Sequence, residues 1–223
     1  MRPFTIYSKI SEYLEEYKVN VIHKILSIAK VDRIFLLGAS LHRRRSESIF
    51  CPSAPTSQFA NDFIFAIIVS DLDTCSVYQL QEKIEKSVQG NFLLTTIILE
   101  AKRFNRYLQS GDVFACNIYS KAVEVFVNSN SRRLPIPKNL SDQYYKIQIQ
   151  ETFHQGHARI KSFFLGADFF IEKGDFNMTL FMLHQAFEQI LITLIKVGSG
   201  FRTTTHNLSR LLRLSAMICY ENS

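Results

Sequence analysis

Between Gly174 and Leu214 the apolar residues Phe176, Leu180, Leu183, Phe187, Ile190, Leu191 and Leu194 recur at spacings of three and four, which puts them on one face of a helix. Such a face predicts burial against other helices. The segment opens at Gly174-Asp175 and stops at Gly198-Ser199-Gly200. After three threonines a last helix is expected to start near His206, with Thr204 or Thr205 as its N-cap and Leu208, Leu211 and Leu212 turned to the core. His184, Gln185 and Glu188 form a polar cluster inside the long helix. His184 and Glu188 are four apart, so they are expected to pair along its surface.

Ahead of that segment the period changes. Ile10, Leu14, Val21, Ile22, Ile25 and Ile28 make Ile6 to Ala29 an amphipathic helix. Val31 to Leu37 reads as a buried strand meeting a tight turn at Gly38-Ala39-Ser40. His42 to Ala60 reads as an exposed loop, whose Arg43, Arg44 and Arg45 either reach phosphates or form a solvated charge run. Asp62 to Val69 is the clearest strand, a continuous β-branched and aromatic run. A helix over Val77 to Val88, a strand over Asn91 to Leu99, a short helix over Lys102 to Gln109 and a strand pair over Val113 to Tyr119 and Ala122 to Val127 follow. Ser129 to Leu140 has two prolines and no apolar period, which predicts a boundary: a first domain over 1–129, a linker over 130–140 and a second domain over 141–223.

Composition adds a folded chain with a modest appetite for anions. Of the 223 residues 47% are hydrophobic, and the net charge is +6. Residues 1–140 carry 18 Lys and Arg against 13 Asp and Glu, and the rest carry 8 against 7, so the surplus lies in the first part. Cys51, Cys75, Cys116 and Cys219 show no CxxC spacing and are expected to be reduced, structural thiols. A polar N-terminus and the lack of an evident apolar run of about 18 residues predict a cytoplasmic protein away from the membrane. His154 and His157 have metal-pair spacing but no third ligand nearby in sequence, which favours a solvent-facing surface.

The phrase FMLHQAFEQIL, with the THNLSRLL helix start after it, resembles a HEPN domain from about Ser141 onward. The resemblance implies an antiparallel helical bundle that dimerises and binds nucleotides or RNA. Some members of that family are metal-independent ribonucleases built on an arginine and a histidine with four to six residues between them. Here Arg202 and His206, with only Thr203 to Thr205 between, are the candidates for that catalytic pair, one residue short of the pattern. The histidine would act as general acid or base and the arginine would stabilise charge on phosphate. His184 and Glu188 are candidates to help hold a nucleotide. The family's bundle has at least one more helix than this chain supplies, so a truncated product is expected.

The first domain resembles the minimal nucleotidyltransferases of the DNA polymerase beta type. A strand ending in Gly38-Ala39-Ser40 and a strand opening at Asp62 carry that resemblance. It implies that Gly38 and Ser40 hold nucleotide phosphates and that Asp62 binds magnesium. Two-metal chemistry needs carboxylates two apart in the strand, since only those point the same way. Ile64 occupies the second position, while Glu100 at the end of the third strand is a candidate third acid. The expectation is an α+β chain: a degenerate, nucleotidyltransferase-like mixed sheet followed by a HEPN-like bundle, needing no cofactor unless magnesium serves a surviving transferase site. The expected function is nucleotide or RNA binding by a homodimer. The alternatives are a ribonuclease and a purely structural interaction module.

Overall fold

The computed structural model describes residues 19–48, 51–72, 76–88, 92–138 and 142–218, with the side chains of 40–62, 92 and 142 outside that description. The chain is α+β and forms two compact units, one of Met1–Asn105 with Ala122–Leu134 and one of Arg106–Lys121 with Pro135–Ser223.

In the first unit, α1 spans Val19–Ile28 within the described residues. Strands β1 (Val31–Ser48), β2 (Cys51–Val69), β3 (Phe92–Glu100) and β4 (Val123–Val127) make a mixed sheet in the order β3-β2-β1-β4. β1 pairs antiparallel with β2 and β4, and β2 pairs parallel with β3. A parallel pair needs a crossover, and α2 (Val77–Ser87) supplies it. Ser76 caps α2 by accepting the Gln79 N–H, while the Gln79 side chain accepts the Ser76 N–H. Phe63 to Val69 are all buried, as expected of an apolar run in an interior strand covered on both faces. Val21 and Ile25 of α1, with Leu80 and Ile84 of α2, complete that core.

Two expectations fail in this unit. β1 does not end in a turn at Gly38-Ala39-Ser40; it runs on to Ser48, with a register irregularity between Leu36 and Gly38. The residues expected to form an exposed loop are ladder partners instead, Arg43 facing Phe59 and Arg45 facing Ser57. Backbone pairing needs no apolar side chains, so a polar, Ser- and Thr-rich stretch zips as readily as any other once its register is set. The two outer strands carry the usual edge liability. On β3 it is met at Thr96, whose N–H and hydroxyl donate to Glu85 Oε1 at 2.7 and 2.9 Å, and whose carbonyl accepts from Gln81 at 2.9 Å.

α3 (Ala101–Ser110) spans the division between the units. In the second unit, α4 covers Val113–Lys121, where a strand was expected. Gly111, at φ 77°, ends the preceding helix, and Asp112 Oδ1 accepts the Ala115 N–H at 3.1 Å, so the chain restarts as a helix with Phe114, Ala115 and Ile118 inward. α5 (Asp142–Glu172) and α6 (Phe176–Ser199) form a helical hairpin joined by Lys173-Gly174-Asp175. Gly174 takes φ 73°, and Asp175 caps α6 by accepting the Met178 N–H at 3.0 Å. α7 spans Leu208–Ser215.

The stripe predicted to be buried on α6 is largely open. Phe176, Leu180, Leu183 and Phe187 are exposed, Phe176 at 69% and Leu180 at 66%. What α6 buries is Thr179, Ala186, Glu188, Leu191 and Ile195. α5 approaches α6 through its own glycines: a Cβ on Gly156 would lie 2.3 Å from Thr193 Oγ1, and one on Gly166 would lie 3.2 Å from Met182 Sδ. α4 and α7 pack on α6 as well. At 24 residues, α6 is also long and apolar enough to cross a membrane by length and composition, contrary to the sequence-based expectation; a core helix of a soluble protein passes the same test.

Glu85→Ala leaves the buried Thr96 N–H and hydroxyl without that acceptor, and is expected to lower unfolding free energy by about 1–3 kcal/mol. Urea denaturation at constant slope measures it; an unchanged midpoint would show that water replaces the carboxylate at no cost.

Candidate functional site

The second unit places a carboxylate where it cannot remain unpaired. Glu188 is only 2% exposed, and its Oε1 lies 2.8 Å from His206 Nδ1, whereas the His206 side chain is 82% exposed. The sequence pointed to His184 as the partner of Glu188. His184 instead makes a long contact, 3.4 Å from Nδ1 to Gln185 Nε2. Helical spacing places His184 beside Glu188 on the surface of α6, but Glu188 is turned inward, so its partner comes from 18 residues further along the chain.

The segment between α6 and α7 is built to bring that partner back. Gly200 ends α6 in the left-handed region at φ 81°, its N–H donating to the Lys196 carbonyl at 2.9 Å. A Cβ there would come within 2.7 Å of Val113 Cβ and 2.9 Å of the Phe114 nitrogen, so glycine is needed twice. Phe201 packs on Phe114 with ring centroids 4.8 Å apart. Thr203 Oγ1 accepts the Thr205 N–H, Thr205 Oγ1 accepts the Asn207 N–H, both at 3.3 Å, and Asn207 Oδ1 accepts the Arg210 N–H at 3.0 Å. Three side-chain acceptors at alternate positions thus fix the backbone from residue 203 to the cap of α7. The N-cap is Asn207, in place of Thr204 or Thr205, and His206 lies one residue before it. The T-x-T-x-N spacing was the legible signal for this ladder.

With Nδ1–H donating to Glu188, the imidazole is oriented and its Nε2 is left as an acceptor for a proton or a polar ligand. Arg202 lies on the same segment and is exposed. Arg202, His206 and Glu188 therefore belong to one short stretch and the helix it folds back on; His184 is not tied to it by any hydrogen bond.

Among its described residues the first unit offers no comparable site. Ser40 and Asp62 are direct partners across β1 and β2, and Gly38 faces Ile64 two rungs away, so the three sequence candidates do fall together on the sheet. Gly38 and Ser40 lie in a continuous strand, so the turn that would aim backbone amides at a phosphate is not formed. Asp62 is level with Leu93 of β3, and Glu100 is level with Val69. Asp62 and Glu100 are therefore seven rungs apart, about 23 Å at about 3.3 Å per residue. Glu100 cannot complete an Asp62 site, and Ile64, in the position of the second acid, is buried. These residues do not fit magnesium. Among the described residues no three His, Cys, Asp or Glu side chains converge as metal ligands.

No protein-family model matches the chain, and no curated protein matches it. Among solved structures, a nucleotidyltransferase-like protein from Exiguobacterium sibiricum 255-15 is similar over 92% of this chain and 73% of its own, with 10% sequence identity and a TM-score of 0.30. A likeness at that score assigns neither fold nor activity, and the architecture given above stands on its own strands and helices.

Of the four cysteines, Cys116 lies among the described side chains and is a free thiol. Burial pushes its pKa up, the Asp112 carboxylate adds to the rise, and a hydrogen bond with Tyr145 offsets part of it. The raised value means less thiolate at a given pH than in an unfolded chain. Alkylation of Cys116 followed against pH is expected to reach half-maximal rate above the ordinary cysteine value, and Asp112→Asn is expected to bring it back toward that value. A midpoint at or below the ordinary one would contradict this.

Proposed function

We propose that the chain is a nucleotide- or RNA-binding protein that engages phosphate through Arg202 and His206. In this reading the helical unit is HEPN-like, and the sheet unit is nucleotidyltransferase-like in shape with no transferase activity. The single observation that carries it is the Glu188–His206 hydrogen bond, in which a buried carboxylate orients an exposed imidazole on the same short segment as the exposed Arg202. Arginine holds phosphate in a bidentate fork, and an imidazole fixed at Nδ1 can donate to phosphate from Nε2 when the ring carries both protons. Ile64 in the position of the second acid, with Glu100 seven rungs from Asp62, supports a sheet unit without metal-dependent transfer.

The chain also dimerises in this proposal, through the apolar residues that the helical hairpin leaves open. Phe176, Leu180, Leu183 and Phe187 on α6 are joined by exposed Phe153, Phe164, Leu165 and Phe169 on α5. Faces of that kind, left in water, are association surfaces. Sedimentation is expected to give twice 25.8 kDa, and Leu180→Glu with Phe187→Glu to return it to 25.8 kDa. A wild-type chain that sediments as a monomer across the micromolar range would remove the dimer from the proposal.

Fluorescence anisotropy with a labelled ten-nucleotide RNA, and calorimetry with ATP, test the binding function. Arg202→Ala and His206→Ala are each expected to weaken binding about tenfold, equivalent to about 1.4 kcal/mol. Binding of neither ligand at low salt would refute it. A second reading, a metal-independent ribonuclease, is favoured by the free Nε2 of an imidazole held at Nδ1. Cleavage of the RNA in the presence of EDTA, lost in His206→Asn, would establish that reading instead.

A further inference from the structure

The α5–α6 hairpin and the segment that returns from α6 bring together three cations that neither the sequence pattern nor the Glu188–His206 pair accounts for. α5 and α6 are antiparallel, since Gly166 meets Met182 while Gly156, ten residues earlier, meets Thr193, eleven residues later. Gly156 and Thr193 touch so closely that this is a point of near approach of the two backbones. Arg159 is one turn beyond that contact on α5, and Lys196 is one turn beyond it on α6. With about 1.5 Å rise per residue in opposite directions, their backbones are offset along the hairpin by about 9 Å. Two long side chains span such an offset from either side.

The third member comes from the fold of the chain after α6. Gly200 hydrogen-bonds back to the Lys196 carbonyl, and His206 reaches Glu188, two turns before Lys196. The 200–206 segment therefore runs back along α6 and carries Arg202 close to Lys196. We propose that Arg159, Lys196 and Arg202 form a cradle for a phosphate group that admits the phosphate of a free nucleotide or of an RNA backbone. This deepens the nucleotide or RNA reading above and rests on it.

Several observations converge on the cradle. Among the described residues no carboxylate pairs with Arg159, Lys196 or Arg202, while the nearby Glu188 is committed to His206. Lys196 is half-buried and the two arginines are exposed, so the group has a floor and an open side. Lys196 has its pKa lowered, first by burial and then by the positive charges of Arg202 and Arg159. The location of Lys196 in the last turn of α6 suits one cation at a helix C-terminus. It does not explain why two arginines are set against it. Like charges held together without a counter-charge cost stability, and an anion between them removes that cost.

Because the folded pKa of Lys196 is depressed, the unfolded chain binds more protons as pH rises toward the ordinary lysine value, and the native state gains stability there. A bound phosphate opposes this and raises the Lys196 pKa. The amine is followed by NMR with 13C-labelled lysine, with inorganic phosphate, ATP and a ten-nucleotide RNA as separate probes. Arg159→Gln, Lys196→Gln and Arg202→Gln are each expected to weaken ATP or RNA binding about fivefold to tenfold and to leave the melting temperature unchanged or higher. If RNA is the ligand, each is also expected to flatten the dependence of log affinity on log salt by about 0.7. Lys161→Gln, two residues from Arg159 on another face of α5, is expected to bind as wild type.

Wild-type RNA or ATP affinity in both Arg159→Gln and Lys196→Gln would overturn the cradle while leaving the nucleotide reading standing. An equal loss in Lys161→Gln would also overturn it, by showing diffuse attraction instead of a site. Failure of both ATP and RNA to bind, with inorganic phosphate still raising the Lys196 pKa, would keep the cradle and refute the nucleotide reading. No response to any of the three probes would end both.

Discussion

A carboxylate buried on α6 is the constraint from which the second unit follows. Glu188 is 2% exposed, and burying such a group without a partner costs several kcal/mol in an apolar setting. The fold meets that demand by sending the chain back from the end of α6 and presenting His206 to it. The reversal at Gly200, the packing of Phe201 on Phe114 and the alternating Thr203, Thr205 and Asn207 acceptors all serve one placement. An imidazole that has to satisfy a buried acid has one nitrogen committed and one free. Structure and potential chemistry are thus one arrangement, with the polar end at the surface.

α6 distributes its apolar character over more directions than one chain can cover. The side carrying Met182 and Thr193 meets the glycines of α5 at close range, the side of Leu191 and Ile195 is buried, and the stripe from Phe176 to Phe187 faces water. A helix apolar on most of its circumference is a core element, whether the core is completed by its own chain or by another. Close packing between α5 and α6 depends on glycine at 156, because Thr193 is β-branched and cannot swing its bulk aside. That tight contact also sets where Arg159 and Lys196 stand relative to each other.

The sheet unit shows a different economy. β2 is buried along Phe63 to Val69, and on its far side β3 would present an open edge, but α2 turns Gln81 and Glu85 onto Thr96 and covers it. Carboxylates that a two-metal reaction would need are dispersed by the register: Asp62 and Glu100 sit at opposite ends of the β2–β3 ladder, and Ile64 fills the position between. Register, more than residue identity, separates these acids, because in a parallel pair the partner of each position is fixed along the whole ladder.

What the sequence determined by itself was what short-range physics controls. Asp175 and Gly200 bounded α6, Asp62 to Val69 and the run through Leu99 declared strands, and Asp112 after Gly111 held an unread helix start for α4. What tertiary structure alone decided was which groups met. Spacing along α6 nominated His184 for Glu188, since residues four apart are neighbours on a helix surface, yet Glu188 is turned into the unit and only a chain reversal could reach it. Likewise β1 ran on through Gly38 and Ser40 because β2 supplied backbone partners from Gly38 to Ser46, and a strand's partner is not written in its own side chains. Period and capping are local properties of a few successive residues, whereas burial and pairing belong to the whole folded chain.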